Sequence, residues 1–376
     1  MPLDESHELF RKTCLRFAKE KIAPFVHEWE EAGSFPRELY QEASAAGVLG
    51  ASYPTELGGG GGDLLHSLIG VEALLTGGSS GVVASLGSLG IALPPLLFLG
   101  TPEQHRRFVP PALAGEKIWA LAITEPGTGS DVAGIKTRAE RDGKDYLLHG
   151  SKLFITSGVR ADFVTVLART GPDKHGGLTF FVVEKGMPGF SVSRALKKTG
   201  WWASDTAELA FDGVRVPEEN RIGQEGSGFT SLMRNFQQER LALAFYGHGT
   251  AEIVLEDAIH YAKERQAFGR PIAGFQVTRH KLAEMATKVT AAKALNYDVA
   301  LRVREGEYLV KETSMAKNFS ARIAQEVCYE AVQILGGMGY MRETRVERLS
   351  RDARILPIGG GTSEIMNEII AKGLGL

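Results

Sequence analysis

The sequence predicts an α+β chain, mainly α: an N-terminal helical domain, a central antiparallel β domain and a C-terminal helical bundle. Three observations predict it. Apolar residues recur at helical spacing through residues 1–113 and again through 228–376. Between them, over 114–227, the chain breaks into short β-branched and aromatic runs separated by Gly, Asp and Pro turns. The order is helices, strands, helices, so a doubly wound parallel sheet is not expected.

The elements follow in order. HELFRKTCLRFAKEKIAPFVHEWE has helical periodicity and pauses at Pro24. PRELYQEASAAGVLG is a second helix, with Pro36 near its start and Gly47 near its end. YPTELGGGGGD has no periodicity and reads as a loop. Apolar helices are expected around 64–76 and 79–99, then a short one over EQHRRF with Thr101 as its N-cap. The strands are expected in KTRAERDGKDYLLHGSKLFITSG, ADFVTVLART, GGLTFFVVEKG and TAELAFDGVRVP. Four long helical segments follow, near 228–265, 275–304, 307–335 and 343–354, and a last helix from Ser363.

Composition narrows the function. The 376 residues are 43% hydrophobic and 23% charged, with a formal net charge of -2, which argues against a nucleic-acid surface or a polybasic membrane patch. No apolar run approaches the ~20 residues of a membrane span. The start, MPLDESHELF, reads as neither a signal nor a transit peptide. Cys14 and Cys328 are the only cysteines, which indicates neither a disulfide framework nor a zinc site, and a cytoplasmic setting is the expectation. The nine histidines show no metal spacing. Gly77–Gly81 matches GxSxG formally but lies between helical segments, not at a strand-to-helix elbow.

Several segments carry possible chemistry. In ITEPGTGSDVAG the hydroxyls of Thr124, Thr128 and Ser130 stand among glycines that let backbone N–H groups approach a ligand, though a plain turn fits the same letters. In KLFITSG, strand alternation puts Phe154 and Thr156 on one side, able to flank a flat heterocycle or to serve as a core Phe beside a surface Thr. RQAFGRPIAGFQ brackets a Phe-Gly turn with Arg265 and Arg270, suited to phosphate or to a solvated connector. QILGGMGY is a glycine-rich helix end, and LPIGGGTSEIMNEII sets three glycines before a helix start that would attract phosphate.

Taken in order, ITEPGTGSD, KLFITSG, WWASDTAELAFDGVRVPEENRIG, ERQAFGRPI, QILGGMGY and GGGTSEI resemble the acyl-CoA dehydrogenase family across essentially the whole chain. The resemblance implies a C-terminal four-helix bundle, FAD between bundle and β domain, and a homo-oligomer, usually a tetramer, in which two subunits share each FAD. It implies that Leu121, Ile123, Thr124, Gly129 and Ser130 line the flavin, with Phe154, Ile155 and Thr156 covering its other side. Arg265, Phe268 and Gln276 would reach the neighbouring subunit's cofactor. Gln333, Gly336, Gly337, Thr362, Ser363 and Glu364 would hold the adenosine and pyrophosphate. Ser130, Gln237, Arg240, Gly360 and Gly361 would contact the acyl-CoA. An electron-transfer flavoprotein is the implied electron acceptor.

One departure bears on the chemistry. Many members place a glutamate just before the Gly-Thr of the last motif, where this chain has Gly360. A replacement is visible in LMRNFQQERLALAFYGHG. On a helix, Glu239 has Leu232, Phe236, Ala242, Leu243 and Tyr246 as same-face neighbours, so a carboxylate sits in an apolar stripe. Such a group has its pKa raised and suits a general base, while an ion pair with a basic residue of another helix fits the pattern equally. The resemblance to the isovaleryl-CoA and long-chain branches assigns Glu239 the base and Gly360 a backbone N–H donor to the thioester carbonyl. Same-fold flavin monooxygenases or oxidases, and a noncatalytic flavin-bound scaffold, are the alternatives.

Overall fold

The computed structural model describes residues 3–376. The N-terminal helices are α1 (Glu5–Phe17), α2 (Val26–Ala32), α3 (Glu38–Ala45), α4 (Leu64–Leu74), α5 (Ser80–Leu86), α6 (Leu89–Ala92), α7 (Pro94–Leu99) and α8 (Pro102–Leu113). Between α1 and α2 a π-helical turn, Ala18–Ile22, precedes the break at Pro24. The apolar stretch 79–99 is three short helices, because Gly87 and Ser88 end one and Pro94 starts the last. Thr101 caps α8: its hydroxyl accepts from the Gln104 N–H, and the Gln104 side chain accepts from the Thr101 N–H.

Strands β1 (Trp119–Ala122), β2 (Arg138–Asp142), β3 (Asp145–Thr156), β4 (Phe163–Arg169), β5 (Leu178–Glu184), β6 (Phe190–Ala195), β7 (Thr206–Val216) and β8 (Arg221–Ile222) form one sheet, in which the order β6-β7-β3-β2-β4-β5-β8 is joined by β1 on β4. Its ladders are antiparallel except for β1 with β4 and the single Arg138–Arg169 bridge of β2 with β4, so the sheet is mixed. The final region holds α9 (Gly228–Glu264), a hairpin of β9 (Gln266–Ala267) and β10 (Arg270–Pro271), then α10 (Gln276–Arg304), α11 (Val310–Leu335), α12 (Arg345–Ala353) and α13 (Ser363–Gly373). Helices α9, α10 and α11 are the long ones, and α12 and α13 pack on α11.

Burial ties the three regions together. One core joins Cys14, Trp29 and Tyr40 to Val254, Val289 and Ala324, fastening the N-terminal helices to the bundle. A second lies between α6–α8 and one face of the sheet, where Phe108, Trp119 and Phe163 meet with ring centroids 5.0–5.9 Å apart. No single helix among the described residues is long and apolar enough to cross a membrane; the bent pair Ser80–Leu86 and Leu89–Leu99 has the length and composition, and most of its residues are buried.

The fold also brings together histidines that lie far apart in sequence. His7, Asp63 and His66 present ligand atoms within 4.8 Å of one another. The cause is two matching caps: Asp4 and Asp63 cap α1 and α4, and the Nδ1 atoms of His7 and His66 accept from the Asp4 and Asp63 N–H at 3.2 and 3.1 Å. Those lone pairs are already used by the helix termini.

Candidate active site

A cavity of about 1280 Å³ opens where the three regions meet. Helix α9 crosses it. Met233, Phe236, Glu239, Leu243 and Tyr246, three or four residues apart, form its cavity face, while Leu232 turns into the core. Glu239 is half-buried, and its open side gives onto this cavity. Burial raises its carboxyl above the ordinary range; Arg240 and Lys317 oppose that shift through space, with no hydrogen bond to the carboxylate. The structural ion pair left open by the sequence pattern is therefore not what holds it.

The loop 356–362 faces Glu239. Gly360 has φ +65° and Gly361 φ +103°, the left-handed region that favours glycine. A Cβ on Gly360 would stand 3.4 Å from Glu239 Oε1 and only 2.4 Å from Leu243 Cδ1. The Glu239 carboxylate thus lies beside the space into which a residue-360 side chain would project. The loop is held from behind: Arg240 Nε donates to the Gly360 carbonyl at 3.2 Å, and Lys317 Nζ to the Gly361 carbonyl at 2.6 Å. Among the described residues the Gly360 N–H has no backbone acceptor. Thr362 then caps α13, its hydroxyl accepting from the Ile365 N–H at 3.3 Å.

On the sheet side the cavity is lined by Leu121, Ile123, Thr124, Gly129 and Ser130. Their turn is braced by a buried pair: Lys152 Nζ donates to Glu125 Oε1 at 2.9 Å and to the Ile123 carbonyl at 2.8 Å, and the Glu125 carboxylate also accepts from the Lys136 and Thr137 N–H groups. Burial lowers Lys152 to about 8. A Cβ on Gly129, which lines the cavity, would meet nothing within 4 Å, so a ligand can approach the backbone there closely.

Phe154, Ile155 and Thr156 all line the cavity. Simple alternation does not explain this. The register shifts between Lys152 and Ile155 where β3 meets β7, and Phe154 has φ +62°. This bulge turns Phe154 out of the pleat, leaving it 65% exposed.

The other expected positions lie elsewhere. Arg265, Phe268 and Gln276 stand exposed on and beside the β9–β10 hairpin, and Gln333, Gly336 and Gly337 are exposed at the end of α11. None of these six lines the cavity. Thr362 does, whereas Ser363 faces a separate cleft of about 630 Å³ and Glu364 is exposed. Gln237 turns away from the cavity, and the neighbouring Gln238 lines it.

Sequence reasoning missed Lys317, Glu125, Lys152 and Trp201. The first three are charged residues wholly or almost wholly buried; Lys317 is one of several charges along α11, but Glu125 and Lys152 sit inside the ITEPGTGSD and KLFITSG motifs, where a buried charge is out of place. That was the readable signal. Trp201 carried none: its φ of +56° and its place on the cavity wall come from tertiary packing.

Three family models match the chain: "Acyl-CoA dehydrogenase, N-terminal domain" over residues 4–116, "middle domain" over 120–214 and "C-terminal domain" over 226–375. The mouse "long-chain specific acyl-CoA dehydrogenase, mitochondrial" is 41% identical over 97% of this chain and 86% of its own. The "caffeyl-CoA reductase-Etf complex subunit CarC" of Acetobacterium woodii is 39% identical over 99% and 98%. Among solved structures, a probable acyl-CoA dehydrogenase from Mycobacterium abscessus has a TM-score of 0.98 and 49% identity, covering 99% of each chain. A glutaryl-CoA dehydrogenase from Mycobacterium smegmatis in complex with FADH2 has a TM-score of 0.93 and 29% identity, covering 99% and 95%.

Proposed function

The chain belongs to the acyl-CoA dehydrogenase family, and from that premise we propose that it removes the α-proton and β-hydride of an acyl-CoA thioester to give a trans-2-enoyl-CoA, with Glu239 as the base. The observation that carries the assignment is the 3.4 Å between Glu239 Oε1 and the Cβ position of Gly360. A carboxylate reached from α9 serves the space beside the glycine loop, with no acid on the loop itself.

The cavity's chemistry fits FAD. The open backbone at Gly129, the exposed ring of Phe154 and the Thr156 hydroxyl would hold its flavin end, and Thr362 at the start of α13 would face its phosphates. When bound, FAD supplies the acceptor for the β-hydride. The protein's own part is orientation and charge. The Gly360 N–H donates to the thioester carbonyl oxygen and stabilises negative charge as the α-proton leaves. Arg240 and Lys317, bonded to the loop carbonyls, fix that N–H in place. Desolvation raises the proton affinity of Glu239, and the apolar wall of Phe236 and Leu243 keeps water from competing for the proton. Arg240 is itself buried and bonded to the loop, so its part is to anchor the site.

The resemblance to the isovaleryl-CoA and long-chain branches, and the similarity to a relative named for its Etf complex, support an electron-transfer flavoprotein as acceptor. A homo-oligomer, in which the exposed Arg265, Phe268 and Gln276 reach a second subunit's cofactor, completes the proposal. Glu239→Gln tests it. The purified variant should retain FAD yet show no bleaching when titrated anaerobically with acyl-CoAs that bleach the wild type. Full bleaching of the variant would place the base elsewhere. A wild type that no thioester bleaches would favour a same-fold monooxygenase or a noncatalytic flavin-bound scaffold.

A further inference from the structure

Strand β3 changes phase beside the cavity. Up to Lys152 its inward side chains alternate in the ordinary way: Tyr146, Leu148 and Lys152 are all buried. The next buried residue is Ile155, and Phe154 and Thr156 are left partly or largely open on the cavity wall. The ladder shows why. Lys152 pairs with Leu209 of β7 and Ile155 with Ala207, which leaves two residues, Leu153 and Phe154, opposite one, Glu208. Without the extra residue Phe154 and Thr156 would follow Lys152 to the buried side, because a one-residue slip sends every later side chain to the other face. The offset is strained, since Phe154 sits in a left-handed backbone with φ +62°.

Lys152 stands where the offset begins. It is wholly buried, and its ammonium donates to the Ile123 carbonyl at 2.8 Å and to Glu125 Oε1 at 2.9 Å. Both acceptors belong to the turn after β1, whose Ile123 and Thr124 line the cavity. At the next residue the Leu153 N–H donates to the Thr124 carbonyl at 2.8 Å. Across the bulge, then, β3 is tied to this turn while its pairing with β7 is interrupted. Glu125 cannot follow a slipping strand, because the Lys136 and Thr137 N–H groups hold it at 2.6 and 2.9 Å. Sliding β3 by one residue would carry the ammonium away from a buried carboxylate, a penalty that apolar packing alone would not impose. A buried ion pair adds little net stability, and fixing register is its best-attested use.

We propose that Lys152 is a positioning residue for the flavin: with Glu125 it locks the one-residue offset in β3 that presents Phe154 and Thr156 to the cofactor. This rests on the reading that FAD occupies the cavity and deepens it, since the pair acts on the cofactor only through the two side chains it turns outward.

The test is a double-mutant cycle on the FAD-loaded protein: wild type, Lys152→Met, Phe154→Ala and the two together. Two quantities are read, the Kd for FAD from the flavin fluorescence released on serial dilution, and the midpoint potential of the bound flavin against a reference dye. Lys152→Met should weaken FAD binding by roughly tenfold, the loss of a hydrogen bond to a charged group, and move the potential toward that of free flavin. Phe154→Ala should weaken binding less in the Lys152→Met background than in wild type, because the ring is already out of place. An unchanged Kd and potential in Lys152→Met overturn the proposal. Effects that simply add overturn it too, and leave the pair a support of the fold with no bearing on Phe154. If Lys152→Met lacks the helical circular dichroism of the wild type, Glu125→Gln takes its place in the cycle with the same expected results. Thioester reduction keeps the two readings apart: a wild type that binds FAD and is bleached while the cycle is additive keeps the dehydrogenase and loses only the positioning role, and a wild type that binds no FAD removes both.

Discussion

Glu239 has two neighbouring cations that act on it without touching it. Lys317 is wholly buried on α11, and burial together with Arg240 brings its ammonium down to about 8. Its positive charge pulls the Glu239 pKa down, against the larger upward push of burial. Lys317→Met removes that pull, so the pH midpoint for flavin reduction by acyl-CoA should move upward. The same change frees the Gly361 carbonyl, and the bleaching rate above the midpoint should fall as the glycine loop loosens. A midpoint that stays put would show that Lys317 only packs. The base was legible in the sequence because one carboxylate stood in an apolar stripe. Lys317 was not, because α11 offered nothing to show which of its charges turns inward. The geometry also shows why a glutamate cannot simply be restored at 360: a Cβ there already collides with Leu243.

Among the elements, α12 does the least expected work. Asp352 near its end is 1% exposed, and its two oxygens accept from the Trp201 N–H at 2.6 Å and the Ser80 N–H at 3.1 Å. One carboxylate so joins the start of α5, the loop before β7 and α12. Burial first, and then the nearby Glu30, push it up to about 7, while the two N–H groups and Arg351 oppose this. Arg348 and Lys198 also face this cluster. The native pKa lies above the unfolded value of 3.8, so the native state holds the proton more tightly. The stabilisation is full below the unfolded pKa and is lost as pH rises through about 7. The difference in Tm between wild type and Asp352→Asn should therefore shrink, or change sign, between about pH 5 and about pH 8, equivalent to roughly 2–4 kcal/mol. A difference that is flat across that range would refute the linkage. Local rules foretold some elements well: Thr101 and Gln104 are a sequence-legible cap, and turn residues marked out the strands. They could not foretell the bulge at Phe154 or the joint at Asp352, since both depend on partners about 50 to 270 residues away.

For the whole molecule, the unresolved tension is the β9–β10 hairpin. Phe268 is 96% exposed and has φ +52°, so an aromatic side chain is held in a left-handed backbone and turned toward water. Among the described residues its one ring contact is with Phe275, centroids 6.1 Å apart. Nothing in a single chain recovers the cost of that arrangement. A second copy would, by covering the ring, and the exposed Arg265 and Gln276 beside it are the polar groups such a contact would bring to a neighbour's phosphates. The order of motifs made this surface visible in the sequence, while its distance from the cavity became visible only in the fold. Phe268→Asp should lower the mass measured by light scattering and the FAD content together, while the chain keeps its helical circular dichroism. If the mass falls and the flavin stays, the hairpin is an assembly contact alone. If neither changes, the neighbouring subunit takes no part in the cofactor site, and that site must be completed from residues of one chain.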